Sequence, residues 1–422
     1  MQVMKWSVIA LAVAAGTSQL AFASAQSESN GFVEDSSLNV LTRSVYFNRD
    51  WRNGPGGNDD GKAEEWGLGF ISTFESGFTQ GTVGFGVDAI GLLGLKLDSG
   101  KGRAGTGLFP TGSDGRSQDD YSEAGGAVKL RVSSTVLKYG TQFTALPVLS
   151  TDDSRLLPQT TEGFLLTSNE IEGLELHAGH FTAMNAQDAT GRDSYGEGIL
   201  KSIDVAGGTY SFTDNLAASL YYSDNEDIAK KYYGNLNYNF DVAEGQNLGF
   251  DFNIYRTKYD KEYTGTGSSE DNTIWSLSST YGIGAHAFTI AYQKSSGDTS
   301  YDYDIGDGGG TIWLANSIQR SDFNAKDEKS AQLRYDLDFA DYGVPGLQFM
   351  ARYVKGWDMD TGNAAQDKEW ERNVQVTYTL QDGPAKDLML RVRQATYRAD
   401  DGYQGGKIDE VRLIAEYPLS IL

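Results

Sequence analysis

Hydrophobic and polar residues alternate with a period of two over long stretches of this chain, and the polar members are often charged. In 331–339, Ala331, Leu333, Tyr335, Leu337 and Phe339 occupy one face, and Gln332, Arg334, Asp336 and Asp338 the other. Leu390 and Val392 alternate with Arg391 and Arg393, while Val411, Leu413, Ala415 and Tyr417 alternate with Arg412 and Glu416. A period of two belongs to β-strands, whose successive side chains point to opposite faces. One continuous apolar face backed by an ionic one needs hydrocarbon outside and water inside. The pattern therefore predicts an all-β fold, a transmembrane antiparallel barrel around an aqueous lumen.

The elements are clearest near the C-terminus. Strands are predicted over 329–340, 347–355, 372–380, 388–397 and 410–419, joined alternately by tight turns (341–346, 381–385) and longer polar links (356–371, 398–409). Short turns at one end and longer loops at the other are the signature of an up-and-down barrel. Upstream, 232–240, 248–256, 274–281 and 286–293 read the same way. Five strands in the 94 residues 329–422 extrapolate to about 16 to 20 strands over the chain. Two stretches are long enough to fold into the lumen: 145–164, with two prolines and a polar centre, and 295–329, which contains Gly308-Gly309-Gly310. The segment 84–94 has no clean period and is read as a lipid-facing strand with Asp88 as its one lumenal charge. No linker and no repeat of solenoid length divides the chain.

Composition adds destination. Lys5, the apolar run 8–15 and the small residues Ala21-Phe22-Ala23-Ser24-Ala25 read as a secretory signal peptide over 1–23, leaving 24–422 as one barrel domain. No stretch approaches the ~18 apolar residues of a spanning helix. The 422 residues include 51 Gly and 24 Tyr but no Cys, so nothing depends on thiols, disulfides or Cys-ligated metal, and no cofactor is expected. A formal charge of −23 disfavours nucleic acid as a partner. The acidic clusters, such as 58–60, 152–153 and 400–401, fall mostly between strands, as solvated loop charge, a cation-concentrating vestibule or bridges through divalent ions to anionic lipid.

Several longer motifs resemble the OprD family of substrate-specific outer-membrane porins of pseudomonads. They are Tyr46-Phe47-Asn48-Arg49-Asp50, the run 75–86 beginning Glu75-Ser76-Gly77-Phe78, Ser154-Arg155-Leu156-Leu157-Pro158-Gln159-Thr160, Gly249-Phe250-Asp251-Phe252-Asn253-Ile254-Tyr255-Arg256, and the terminal Tyr417-Pro418-Leu419-Ser420-Ile421-Leu422. The resemblance implies eighteen strands, a constriction of in-folded loops and a ladder of basic residues along one wall. It also implies uptake of small carboxylate-bearing nutrients, with basic amino acids and short peptides favoured and carbapenems admissible. Outer-membrane lipids, including lipopolysaccharide, and small carboxylates are the expected partners, in a monomer or homotrimer.

Arg391, Arg393 and Arg412 are ladder candidates from alternation alone, because their neighbours face lipid. Guanidinium groups suit the role: they give a partly dehydrated carboxylate forked, charge-assisted hydrogen bonds. Motif matching adds Arg49, Arg155 and Lys62, and the shared face of Lys129 and Arg131 adds Arg131. Thr377 stands where relatives can carry a ladder lysine, and Lys355 is out of phase with Arg352. Facing the ladder, the resemblance implies an electronegative pocket at Asp322, Thr311 and Tyr195, so that a zwitterion or dibasic solute is held at both ends.

Competing functions are weaker on chemistry. A serine-peptidase triad needs Ser, His and carboxylate within reach, yet no Gly-x-Ser-x-Gly elbow occurs. His177 and His180, three apart, face opposite sides of a strand. A purely structural barrel has no use for a lumenal arginine row. Aromatic and other carboxylic acids are the alternative solutes within the channel reading.

Overall fold

The computed structural model describes residues 25–52, 61–192, 200–302, 313–362 and 367–422. The expected signal peptide, Tyr195, Thr311 and the triple glycine 308–310 lie outside the described residues. Eighteen strands form one sheet. They are β1 Ser37–Trp51, β2 Lys62–Glu75, β3 Val83–Ser99, β4 Asp120–Val132, β5 Thr135–Gln142 and β6 Thr160–Ile171. Next come β7 Leu174–Asn185, β8 Ile203–Thr213, β9 Leu216–Asn225, β10 Ala229–Ala243, β11 Gln246–Tyr259 and β12 Glu270–Ile283. The last six are β13 His286–Gly297, β14 Lys329–Asp338, β15 Leu347–Met359, β16 Asp367–Thr379, β17 Met389–Ala399 and β18 Lys407–Ser420.

Each strand pairs antiparallel with the next, and β1 pairs with β18 from Asn39↔Ser420 to Trp51↔Ile408. Closure satisfies every strand edge, which hydrocarbon demands because it offers no hydrogen bonds. The predicted C-terminal strands form, most of them longer than the sequence pattern indicates. The link read over 356–371 shrinks because β15 and β16 reach into it. Outward positions carry the apolar band, with Leu333 65%, Ile290 60% and Leu220 73% exposed, and inward ones are polar or packed.

The barrel is not an empty tube, because apolar patches on its inner wall seat the in-folded loops. The 143–159 loop between β5 and β6 buries Leu146, Val148 and Leu149 against Phe181, Met184, Tyr221, Tyr233 and Tyr255, and the same cluster takes Leu314 of the 298–328 loop between β13 and β14. Leu156 and Leu157 pack beside Val45, Phe47, Ile71, Ile90 and Leu92, with Leu108 and Phe109 of the 100–119 loop. That last in-folding was not expected from sequence. It also explains the missing period of β3: Asp88 is inward as read, but Ile90 and Leu92 are inward too, covered by loops rather than by water. Two glycines make room, since a Cβ at Gly69 would lie 2.9 Å from the Leu156 carbonyl oxygen, and one at Gly67 2.7 Å from the Phe109 ring.

Candidate functional site

The loop at 143–159 and the described segments 298–302 and 313–328 leave an eyelet whose lining includes Arg49, Arg155, Arg393 and Arg412 on one side, and Asp152, Asp302 and Asp322 elsewhere around a cavity of about 680 Å³. β1 contributes inward side chains at odd positions. Arg49 donates to Glu410 at 2.6 Å, and Arg412 donates to the same fully buried carboxylate at 2.8 Å. A second Arg412 contact reaches the Gln319 carbonyl at 3.2 Å, tying the wall to the longer loop. The Phe47 ring is a common platform, with guanidinium carbons of Arg412, Arg49 and Arg155 at 4.2, 5.1 and 5.6 Å from its centroid. Ring faces are electron-rich, so one phenyl moderates the crowding of three cations.

Arg155 reaches the eyelet from its loop, donating to the Thr106 carbonyl at 3.0 Å and the Ser154 hydroxyl at 2.7 Å. Burial and the positive field of Arg412 bring its pKa down to about 10, which leaves it cationic at neutral pH.

Arg391 and Arg393 differ from these three. Among the described residues neither makes a hydrogen bond or ion pair, and the Nε of each is shielded without a partner. Arg393 sits directly opposite Arg412 in the β17–β18 register. Facing like charges cost stability in a sheet. Arg352 continues the positive wall from β15, held by Asn373 at 2.9 Å, while Lys355 points outward as their opposite phase demands.

Two candidates fall away from the eyelet. Lys62 occupies an outward position at the loop-bearing rim, paired with Glu64 at 2.5 Å, because its register opposite Asp50 gives it the lipid-side parity. Arg131 is lumenal but near the turn-bearing end, bonded to Gln26 at 2.8 Å and lying 4.1 Å over Phe78. Its neighbour Lys129 pairs with Asp88 at 2.6 Å.

Asp322 faces the cavity from the 298–328 loop. Its carboxylate accepts the Ser317 hydroxyl at 2.7 Å, and Gln293 holds its carbonyl at 2.9 Å. Crowding by protein pushes its pKa up to about 7, the Ser317 bond opposing and the Glu371 and Glu369 carboxylates reinforcing the shift.

Sequence reasoning missed Arg43, which shares the parity of Arg49. It is 5% exposed and bridges Glu416 at 2.6 Å, Asp153 at 2.6 and 3.0 Å, and the Arg155 carbonyl at 3.1 Å. It is a clamp for the shorter loop. The histidines are dispersed: His177 is bonded to Tyr221 at 3.0 Å, His180 faces outward beside Asp204 at 2.7 Å, and His286 bonds Tyr335 at 2.8 Å.

Comparison with known proteins agrees with this geometry. Residues 30–421 match the family described as outer membrane porin, OprD family. The chain is 50% identical to Porin D of Pseudomonas aeruginosa, over 100% of each chain. The crystal structure of Acinetobacter baumannii OccAB1 superposes with a TM-score of 0.90 at 37% identity, covering 94% of this chain and 100% of that one. That of Pseudomonas aeruginosa OpdK with vanillate gives 0.83 at 35% identity, covering 92% and 100%.

Proposed function

This chain belongs to the OprD family of outer-membrane porins, and on that footing we propose that its eyelet selects small solutes carrying a carboxylate, basic amino acids and short peptides foremost. The observation that carries the reading is the pair Arg391 and Arg393, lumenal guanidinium groups with no partner among the described residues. An arginine kept for structure is spent on a neighbouring carboxylate, as Arg43 is on Asp153 and Glu416. These two remain free for a passing anion.

The path offers such an anion several sites of moderate strength. A close guanidinium–carboxylate pair contributes about 1 kcal/mol in water-like surroundings and about 4 kcal/mol where partly desolvated. Arg391, Arg393 and Arg412, with Arg49 and Arg155 near the eyelet, let a carboxylate pass from one to the next without a deep trap. Asp322 on the facing loop takes an ammonium or guanidinium at the other end of the solute. A neutral solute gains from neither wall. The chemistry is diffusion with replacement of hydration, and no bond is made or broken.

Aromatic carboxylic acids are the second reading, because the relative OpdK was solved with vanillate. Liposome swelling separates the two, with arginine, lysine, dipeptides, benzoate and an uncharged sugar of similar size as solutes. Basic amino acids are expected to enter fastest. Arg393→Ala slows every carboxylate-bearing solute several-fold and leaves the sugar unchanged. Equal loss for sugar and amino acids, or no loss at all, refutes the role of the guanidinium wall, and faster influx of benzoate than of arginine replaces the favoured solute class.

A further inference from the structure

The outward face of the barrel carries a feature that the pore does not use. On β13, β15 and β16, near the end that bears the long loops, Lys294, Lys355, Lys368 and Arg372 stand at lipid-side positions. Their parity is secure, because flanking residues are inward and sealed: Gln293 and Ser295 are 0% exposed, Val354 0%, Glu369 1% and Glu371 0%. None of the four has a carboxylate partner among the described residues, and Arg372 makes only a 3.3 Å contact to the Thr396 hydroxyl. Neighbouring cations are matched, Lys329 with Asp358 at 2.8 Å and Arg398 with Asp409 at 2.9 Å, so the four are a surplus. Lys294 moreover lies directly opposite Lys329 in the register, two facing cations of which Asp358 neutralises one.

An aromatic girdle runs among these cations. Trp275 packs on Tyr292 at 5.5 Å, Tyr292 on Trp357 at 6.3 Å, and Tyr353 on Trp370 at 5.8 Å, all at outward positions. Lys355 lies between Tyr353 and Trp357 in sequence and opposite Trp370 across the sheet. Rings of this kind mark the level where hydrocarbon gives way to head groups. The cations therefore meet lipid head groups rather than bulk water, over four adjacent strands, about 14 Å at the usual strand spacing. Among the described residues, the other outward strand cations without a carboxylate partner are fewer and farther apart, Lys258 on β11 and Lys407 on β18. On β8 and β9 the outward rim residues are acidic, Asp204 and Asp224.

We propose that Lys294, Lys355, Lys368 and Arg372 form a binding site for the phosphate groups of a phosphorylated glycolipid in the outer leaflet. Ammonium and guanidinium groups supply the charge that phosphate needs, and the girdle receives the acyl chains beside it. The site fixes which sector of the barrel faces such a lipid. It is independent of solute choice in the eyelet.

Native mass spectrometry of the full-length barrel tests this with bisphosphorylated lipid A, the same lipid dephosphorylated, and phosphatidylcholine. Bisphosphorylated lipid A is expected to be retained at concentrations at least tenfold lower than either of the others, and raised salt weakens it. The combined variant K294Q/K355Q/K368Q/R372Q loses that preference while keeping wild-type single-channel conductance. Equal retention of phosphorylated and dephosphorylated lipid by the wild-type protein overturns the proposal whether or not the variant inserts. So does a folded variant that still prefers the phosphorylated lipid, or effective competition by free pyrophosphate, which needs no membrane.

Discussion

Asp322 gives the eyelet a pH dependence beside guanidinium groups that stay charged. Its pKa of about 7, raised by crowding and by Glu371 and Glu369, places its titration far above the ordinary range of a carboxylic acid near ~4. The sign follows directly. At pH 8 the group is mostly ionised, the facing wall is negative, and cations are favoured; at pH 6 it is mostly neutral, and the arginines act alone. Zero-current potentials across a salt gradient are therefore expected to shift toward anion preference as pH falls from 8 to 6. Asp322→Asn should give the low-pH value throughout and abolish the shift, and a transition that survives in that variant assigns it to another group. At this scale, alternation makes Arg391, Arg393 and Arg412 legible, whereas Arg43 went unread although it shares the parity of Arg49. Alternation cannot say which of them is free, because Asp153 reaches Arg43 from a distant loop, and whether Glu410, two residues before Arg412 on the same face, closes on it depends on the packing around both.

At the level of elements, the strands are legible because lipid and water lie on opposite sides of each, which forces charge and hydrophobe into strict alternation. β3 is the instructive exception. Its inner face meets loops near Ile90 and Leu92 and salt bridges at Asp88, so two different environments share one face and the period disappears. Lys62 shows the limit of motif matching, since a one-position difference in parity moves a cation from lumen to rim. The in-folded loops were visible as lengths, but their seats were not, as these depend on inner-wall glycines and on Arg43. The clamp yields a prediction. Asp153 is 52% exposed, so Asp153→Ala should cost less than about 1 kcal/mol of stability while leaving Arg43 its bond to Glu416. The 143–159 loop, freed of one tether, is expected to sit less tightly in the lumen. Planar-bilayer recordings should show greater open-channel noise and a conductance at or above wild type. Recordings indistinguishable from wild type would remove Asp153 from the loop's anchorage and leave the apolar seats of Leu146, Leu149 and Leu156 holding it alone.

For the whole molecule, the decisive physics is that one closed sheet separates two solvents, so the same chemical change has opposite consequences on its two sides. The outward face spends its apolar residues on lipid, and the lumen is free to vary charge because water and counter-charges reach it. This is why a chain with a formal charge of −23 and only 39% hydrophobic residues forms a membrane-embedded barrel. Leu333 lies mid-strand on β14, 65% exposed toward lipid, between Ile290 and Tyr353. Thr377 lies inside on β16, opposite Arg391. Leu333→Arg places a cation near the bilayer midplane and is expected to destabilise the barrel by about 2–4 kcal/mol. Thr377→Lys adds a cation opposite Arg391 on the lumenal side, where a long side chain can reach the water of the pore, so its cost should remain below that of Leu333→Arg. Reversible urea unfolding in lipid vesicles measures both, and bilayer recordings should show greater anion preference for Thr377→Lys alone. Similar destabilisation by the two substitutions would mean that the lumen at Thr377 is as dry as the lipid face, and a continuous aqueous path along the arginine wall could not then run through this position.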